Sequence, residues 1–255
     1  MDSEDPDPFF DIPFLSMSVG SPDSGKTGFL VECLMYYCDI ETCFEKVYII
    51  CPNISNTLKI LILYCYLIGR PLQHIDGRNE EQVQHFYKKC LSHSTKSPHI
   101  LVILDDMSGS SLIHNNQKFA SICNTYKNRN ISLSIIAQQP LTVATAVRAN
   151  ATIVFGHRLQ TQQETEKMIR TITIGPPTST YKDLSMAFRV LVELIQEGLP
   201  FWIPLVIRRT RNKETLIQIG HGETFKLKGW LMTDEVKNYL KSDLIETRVD
   251  MDDIF

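Results

Sequence analysis

Near its amino terminus the chain reads Phe14-Leu15-Ser16-Met17-Ser18-Val19-Gly20-Ser21-Pro22-Asp23-Ser24-Gly25-Lys26-Thr27. An apolar run thus leads into a loop of the form Gly, four free positions, then Gly-Lys-Ser/Thr, which is the pattern of a phosphate-binding loop. A helical run from Gly28 to Met35 follows. Strand, glycine-bounded turn and helix are the context in which this pattern binds nucleotides, so the stretch predicts a nucleoside triphosphate site.

Each residue type in the loop has a chemical reason. Glycines let successive backbone N–H groups approach the phosphates closely, and a helix that starts there adds a favourable dipole. Lys26 is predicted to reach the β- and γ-phosphates, and the Thr27 hydroxyl to ligate Mg²⁺. We therefore expect ATP and Mg²⁺ as cofactors. The predicted nucleotide-binding residues are Gly20, Ser21, Pro22, Asp23, Ser24, Gly25, Lys26 and Thr27.

Length and composition limit the architecture. With 255 residues and 43% hydrophobic residues, the chain can bury one large α/β core. We expect an acidic amino-terminal segment over 1–12, a single ATPase domain over 13–242, and an acidic tail over 243–255. Within the domain, 13–171 is the predicted core and 172–242 the carboxyl-terminal elements. A net charge of −3 argues against a globally basic nucleic-acid coat and restricts any polyanion contact to a local face.

Cysteine and histidine usage excludes other site types. Seven cysteines, an odd number without a Cys-x-x-Cys pair, lie between Cys33 and Cys123, mostly in apolar runs, so we expect reduced, buried thiols. The seven histidines lack ligand spacing, which disfavours a metal site made of side chains alone. The acidic start lacks the features of a signal peptide. The longest apolar stretch, Leu58 to Ile68, is too short to span a bilayer, so no transmembrane segment is expected.

Short apolar runs alternate with helical ones, which is typical of a mostly parallel sheet flanked by helices. The predicted strands are Leu15–Val19, Lys46–Cys51, Ile100–Leu104, Ser132–Ala137 and Ala151–Phe155, then Phe201–Arg208 and Thr215–Ile219 as a hairpin or as edge strands. The predicted helices are Thr27–Cys38, Glu80–Leu91, Asn116–Lys127, Thr161–Thr171, Asp183–Gln196 with Asp183 as its cap, and Thr233–Lys241. The segment Gly175 to Ser179 is predicted to be a turn.

A second nucleotide element follows the strand Ile100–Leu104. Asp105 is predicted to hold the Mg²⁺ shell, and Asp106 to polarise the attacking water. An Asp-Asp pair after a strand is also a common turn signal, and the phosphate loop upstream favours the catalytic interpretation. Gln138 directly follows the predicted strand Ser132–Ala137. If this strand lies between the phosphate-loop strand and the acid-bearing strand, the side-chain amide of Gln138 would face the γ-phosphate and could sense hydrolysis.

Two sets of basic residues are candidates for anion contacts. Arg129, ahead of Arg148, is predicted to stabilise the transferring phosphoryl group, in its own subunit or across an interface, although a solvated surface arginine is the commoner case. DNA binding needs sequence-independent phosphate contacts. Its best local candidates are Arg208, Arg209, Arg211 and Lys213, which an ordinary hairpin tip would explain equally well.

The phosphate loop, the Ile-Leu-Asp-Asp strand, the Ser-Ile-Ile-Ala-Gln strand and the Arg-Ala-Asn-Ala-Thr segment occur in the order and approximate spacing seen in poxvirus-type genome-packaging ATPases of nucleocytoplasmic large DNA viruses. Over positions 12 to 160 the chain resembles this group, which belongs to the FtsK/HerA superfamily of P-loop NTPases. The resemblance implies an ASCE-type, RecA-like α/β fold of strand order 5-1-4-3-2, with a small carboxyl-terminal β/α extension. By that likeness Lys26 and Thr27 bind phosphate and Mg²⁺, Asp105 holds the metal, Asp106 is the catalytic acid, Gln138 is the sensor and Arg129 is an arginine finger.

The resemblance also implies a homo-oligomeric ring that packages double-stranded viral DNA into a preformed capsid, coupled to ATP hydrolysis. Capsid or portal components are expected partners, with the acidic tail as a docking segment. The expected place is the host cytoplasm at viral assembly sites or the virion, with the nucleus as an alternative. Pro22 and Asp23 depart from the small residues usual in this loop, so Asp23 is expected to point outward, and Asp106 replaces the usual Glu. Two other functions stay open, a small-substrate phosphotransferase and a nucleotide-gated assembly scaffold.

Overall fold

The computed structural model describes residues 10–38, 40–70, 72–107, 109–139, 142–159, 161–172, 178–209, 215–221 and 225–226. In chain order its elements are β1 (Leu15–Val19), α1 (Lys26–Tyr36), α2 (Ile40–Cys43), β2 (Lys46–Cys51), α3 (Asn56–Leu67), β3 (Leu72–Asp76), α4 (Glu80–Ser92), β4 (Ile100–Asp105), α5 (Gln117–Thr125) with a 3₁₀ turn (Tyr126–Arg129), β5 (Ile131–Ala137), α6 (Thr145–Asn150), β6 (Ile153–Gly156), α7 (Gln162–Ile172), α8 (Thr178–Gln196), β7 (Leu205–Arg209), β8 (Thr215–Ile219) and β9 (Phe225–Lys226).

One sheet organises this part of the chain, and its nine described strands have the order β3-β2-β4-β5-β1-β6-β7-β8-β9. The strands from β3 to β6 are parallel, whereas β7, β8 and β9 pair antiparallel. The order expected for the five core strands is confirmed, and it places β5 between β1 and β4. Two strands were not expected, namely β3 beyond β2 and β9 at the other end of the sheet, whereas β7 and β8 continue the sheet beyond β6 where edge strands were predicted.

Helices cover both faces of the sheet, as the apolar strands require. Successive residues of a strand point to opposite faces, so Leu101 and Ile103 pack in the core under α1 and α3, while Val102 and Leu104 pack in the core under α4 to α8. Every residue of β1 and β5 is buried. Inside this layer the hydroxyls of Ser16 and Ser134 hydrogen bond to one another at 2.7 Å and satisfy two buried polar groups.

The sequence did not predict α3 and β3 as elements. The apolar run that we excluded as a membrane span is helix α3, and the Ser55 hydroxyl caps it by accepting from the backbone N–H of Leu58 at 3.2 Å. The helix is apolar on nearly all sides, so its residues lack the alternation that marks a surface helix. In the described part of the chain, no helix has the length and apolar character to cross a membrane.

Several predicted boundaries were wrong. Helix α8 begins at Thr178, so Asp183 is not its cap but a buried residue within the helix. No glycine or proline lies between Thr178 and Asp183, so no local signal prevents the helix from starting before Asp183. Strand β7 begins at Leu205 rather than Phe201, because Pro200 and Pro204 bracket a turn and proline cannot donate to the ladder. The predicted turn Gly175 to Ser179 is wrong at its end, since Thr178 and Ser179 already belong to α8. The predicted helix Thr233–Lys241, residues 175–177 and the acidic tail lie outside the described residues.

Candidate nucleotide site

The loop between β1 and α1 needs both of its glycines. Gly25 has φ 80°, the left-handed region that side chains disfavour, and an added Cβ would lie 2.3 Å from the Cβ of Trp202. At Gly20 an added Cβ would lie 2.6 Å from the Cβ of His157 and equally close to the Ser24 hydroxyl. The loop is thus fitted against two residues that are distant in sequence. Pro22 and Asp23 are exposed, Asp23 with φ 56°.

Lys26 folds back into the loop. Its ammonium group donates to the carbonyl oxygen of Ser21 at 2.5 Å and to the hydroxyl of Ser24 at 3.5 Å, and the residue is only 8% exposed. Burial lowers the pKa of Lys26, opposed by the nearby negative charge of Asp105. An ammonium group held among neutral acceptors gains strongly from an anion, which is the property that a phosphate site needs.

Thr27 and Asp105 meet at the carboxyl edge of the sheet. The Thr27 hydroxyl donates to the carboxylate of Asp105 at 3.4 Å. Burial and the adjacent charge of Asp106 raise the pKa of Asp105 to about 6. A hydroxyl and a carboxylate side by side are hard oxygen ligands, so the pair fits Mg²⁺, which is bound by few protein oxygens and keeps water and phosphate as its other ligands. The described residues contain no cluster of three or more His, Cys, Asp or Glu able to hold a metal.

Asp106 and Gln138 form a second polar pair beside the first. Asp106 is exposed and has φ 54°, a conformation that turns the chain sharply after β4. The side-chain amide of Gln138, directly after β5, donates to the carboxylate of Asp106 at 3.4 Å. Because β5 pairs with β4 on one side and β1 on the other, its end brings the amide between the loop and the acids.

Arg129 is not brought to this edge. It ends the 3₁₀ turn that Asn130 joins to β5, and therefore lies at the amino end of the parallel strands, opposite the loop. Its guanidinium donates to the hydroxyl of Thr125 at 2.7 Å, to the carbonyl of His93 at 3.1 Å and to the carbonyl of Leu91. These bonds hold it within its own chain, so the structure supplies no arginine-finger contact from Arg129 to its own loop.

The candidate DNA-binding arginines also lie at the amino edge. Arg208 of β7 is paired with Ile153, the first residue of β6. Both Arg208 and Arg209 are partly buried, and burial lowers the pKa of Arg209. Arg211 and Lys213 lie outside the described residues.

Two residues of the site gave no signal in the sequence. His157 is fully buried, its Nδ1 lies 3.1 Å from the carbonyl oxygen of Trp202, and burial together with Lys26 lowers its pKa to about 3. It is therefore a neutral residue wedged between the loop and the Trp202 turn. The neighbouring Arg158 accepts from the backbone N–H of Ser21 through its carbonyl oxygen at 3.1 Å. Only packing across roughly 130 to 180 positions of the chain brings these residues to the loop, far beyond the reach of local motifs.

No protein-family model matches the chain, and no curated protein matches it by sequence. Solved structures do match. The genome packaging NTPase B204 from Sulfolobus turreted icosahedral virus 2 in complex with ATP-gammaS is similar with a TM-score of 0.55 and 14% identity, over 82% of this chain and 98% of that chain. The DNA-packaging ATPase B204 from Sulfolobus Turreted Icosahedral Virus is similar with a TM-score of 0.56 and 12% identity, over the same shares. At these identities the likeness concerns the fold, and this chain has the α/β fold of a P-loop NTPase.

Proposed function

We propose that this protein is an ATP-driven DNA translocase that packages viral double-stranded DNA into a preformed capsid. The observation that carries the proposal is the position of β5 between β1 and β4, which sets Gln138 beside Asp106 at the mouth of the phosphate loop. A sensor amide between the loop and the acids suits a motor that must couple hydrolysis to movement. The likeness in fold to packaging NTPases supports the same assignment.

The proposed chemistry starts with the loop. Its backbone N–H groups bind the phosphates, and the ammonium group of Lys26 exchanges the carbonyl of Ser21 for phosphate oxygens. Thr27 and Asp105 would hold Mg²⁺, which when bound neutralises charge on the phosphates. Asp106 would accept a proton from the attacking water. Gln138, which donates to Asp106, would report the loss of the γ-phosphate by changing its hydrogen bond.

DNA contact is proposed for the opposite edge of the sheet. Arg208 and Arg209 lead into the stretch that contains Arg211 and Lys213, and positive charges there would bind phosphates without reading sequence. Separate edges let nucleotide and DNA bind at the same time. We further propose a homo-oligomeric ring, capsid or portal partners, a domain over 13–242, and action in the host cytoplasm at assembly sites.

The test is the ATPase rate with and without long duplex DNA. We expect duplex DNA to raise the rate of the parent protein, and Lys26→Ala to abolish hydrolysis in both conditions because the ammonium group contacts the transferred phosphate. Lys59→Ala is the matched control, since Lys59 is an exposed lysine whose ammonium donates to Asn56 on α3. A rate indifferent to DNA would contradict the motor. Turnover of a small acceptor without DNA would favour a phosphotransferase, and slow hydrolysis unaffected by Asp106→Asn would favour a scaffold.

A further inference from the structure

A cavity of about 430 Å³ opens between the start of α7 and the end of α8. Its volume falls within the range of about 300–1,000 Å³ that is usual for small-molecule sites. Arg158 lines one end of the cavity, and its carbonyl oxygen accepts a hydrogen bond from the backbone N–H of Ser21 in the phosphate loop. The cavity therefore starts one hydrogen bond away from the loop, on the side of β1 that faces away from Asp105.

Packing fixes the floor of this cavity relative to the loop. Val19, the last residue of β1, is paired with Gly156 of β6. Gly156 in turn leaves room for the ring of Phe188, because an added Cβ would lie 2.5 Å from its Cζ. Phe188 lines the cavity and is 3% exposed. A rigid path of two contacts thus joins the base of the loop to the cavity wall.

A capping box fixes the cavity mouth. The hydroxyl of Thr161 accepts from the backbone N–H of Glu164, and the carboxylate of Glu164 accepts from the backbone N–H of Thr161, both at 3.2 Å. This reciprocal pair defines where α7 begins. Thr161 itself lines the cavity, so the opening next to Arg158 belongs to an ordered helix start.

The lining selects for an uncharged, flat and polar-edged ligand. Leu159, Phe188 and Val192 provide apolar walls, and Val192 is 41% exposed at the opening. The charged residues balance in sign, with Arg158 and Arg189 set against Glu166 and Glu193. A balanced lining gives no advantage to a further phosphate group. Guanidinium groups stack on aromatic rings, and carboxylates accept hydrogen bonds from amino groups.

We propose that this cavity binds the purine base of the nucleotide whose phosphates occupy the loop, and that a base carrying an exocyclic amino group is preferred. The inference rests on the proposed nucleotide site and adds the part of the ligand that the site selects. The apolar walls would cover the ring faces, and the carboxylates would accept from the amino group. The phosphate loop supplies binding energy common to all triphosphates, whereas this cavity discriminates between them.

The experiment compares ATP with inorganic tripolyphosphate, which carries the phosphates without a base. Trp202 is the reporter, because its Cβ lies against Gly25, and Trp230→Phe removes the other tryptophan of the chain. In the presence of Mg²⁺, we expect ATP to bind at least about tenfold more tightly than tripolyphosphate, the usual worth of a filled apolar pocket. ITP, a purine nucleotide whose base lacks the amino group, is expected to bind more weakly than ATP, and equal affinities for ITP and ATP would refute the preference for an amino group.

Val192→Tyr fills the opening from a partly exposed position. We expect it to reduce the ATP advantage to less than about threefold while tripolyphosphate affinity stays unchanged, which also reports an intact loop. Gln196→Tyr, an exposed position on the same helix outside the cavity, is the matched control and should keep the advantage. An ATP advantage that persists in Val192→Tyr, or equal affinities for ATP and tripolyphosphate in the parent, would overturn the proposal. If Lys26→Ala leaves tripolyphosphate binding unchanged, the phosphate site itself is refuted and the base site with it.

Discussion

Gly25→Ala tests the geometry of the loop most directly. The substitution forces a side chain into the left-handed region at φ 80°, which costs about 1–2 kcal/mol. It also places a Cβ 2.3 Å from the Cβ of Trp202 and 3.0 Å from its Cα, and overpacking of this kind costs about 1–3 kcal/mol. Because the obstacle includes backbone, the neighbour cannot simply rotate away. We expect the free energy of unfolding to fall by about 2–5 kcal/mol, the sum of the two costs.

Gly28→Ala is the matched control, three residues further on. Gly28 lies in α1, and an added Cβ would meet nothing within 4 Å. Alanine is the better helix former, so this variant should gain about 0.5–1 kcal/mol of stability. Urea unfolding followed by tryptophan fluorescence measures both variants on one scale.

The difference between the stability changes of Gly25→Ala and Gly28→Ala tests the loop geometry. If Gly25→Ala and Gly28→Ala change stability by the same amount within about 0.5 kcal/mol, the left-handed turn against Trp202 is wrong. A double-mutant cycle isolates the clash, since Trp202→Gly removes the opposing Cβ. In that background Gly25→Ala should cost at least about 1 kcal/mol less than in the parent. Additive effects would instead locate the whole cost in the backbone conformation.

Three further predictions follow from the site and the core. The pKa of Asp105 is about 6 in the folded protein against 3.8 for the free group, so folding favours the protonated carboxyl. The stability that this gives is complete below about pH 3.8 and is lost as the pH rises through 6. Relative to Asp105→Asn, the parent should therefore be more stable at pH 4 than it is at pH 7. Urea midpoints of both proteins at the two pH values measure this, and a stability difference that does not change with pH would contradict the assignment. Ser16→Ala should lower the free energy of unfolding by about 1–3 kcal/mol, because it leaves the buried Ser134 hydroxyl without its partner. The double variant Ser16→Ala with Ser134→Ala should lose less than the single change, and equal losses would show that the hydrogen bond does not matter. Gln138→Ala and Asp106→Asn should each lower kcat by about tenfold or more while nucleotide affinity stays within about twofold, measured by phosphate release and tryptophan fluorescence; equal loss of affinity would assign these residues to binding instead.

The local parts of the site were predictable because their signal is local. The loop from Gly20 to Thr27 is a contiguous pattern, and Asp105 is the last residue of β4, whose other residues are apolar and buried. The five core strands were recognised for the same reason, since nearly continuous apolar runs mark parallel strands covered by helices. Their order came from the family resemblance, and the strand pairing of β5 agrees with it.

The rest of the site depends on packing between distant segments. Arg129 was expected near the phosphates, yet it lies at the amino edge because β5 runs from that edge toward the loop. His157 and Trp202 touch the loop glycines, but neither residue type nor spacing indicates it. The cavity next to Arg158 is lined by residues of both α7 and α8, which no local pattern indicates.

The sequence by itself therefore determined which loop has the phosphate-binding pattern, since a contiguous turn carries its own glycines, lysine and hydroxyl. Only the tertiary structure decided which residues brace that loop, which edge Arg129 and Arg208 occupy, and where the cavity beside Arg158 lies. The physical reason is that these relations arise from contacts between segments more than a hundred positions apart in the chain, as the paired Val19 and Ala137 are.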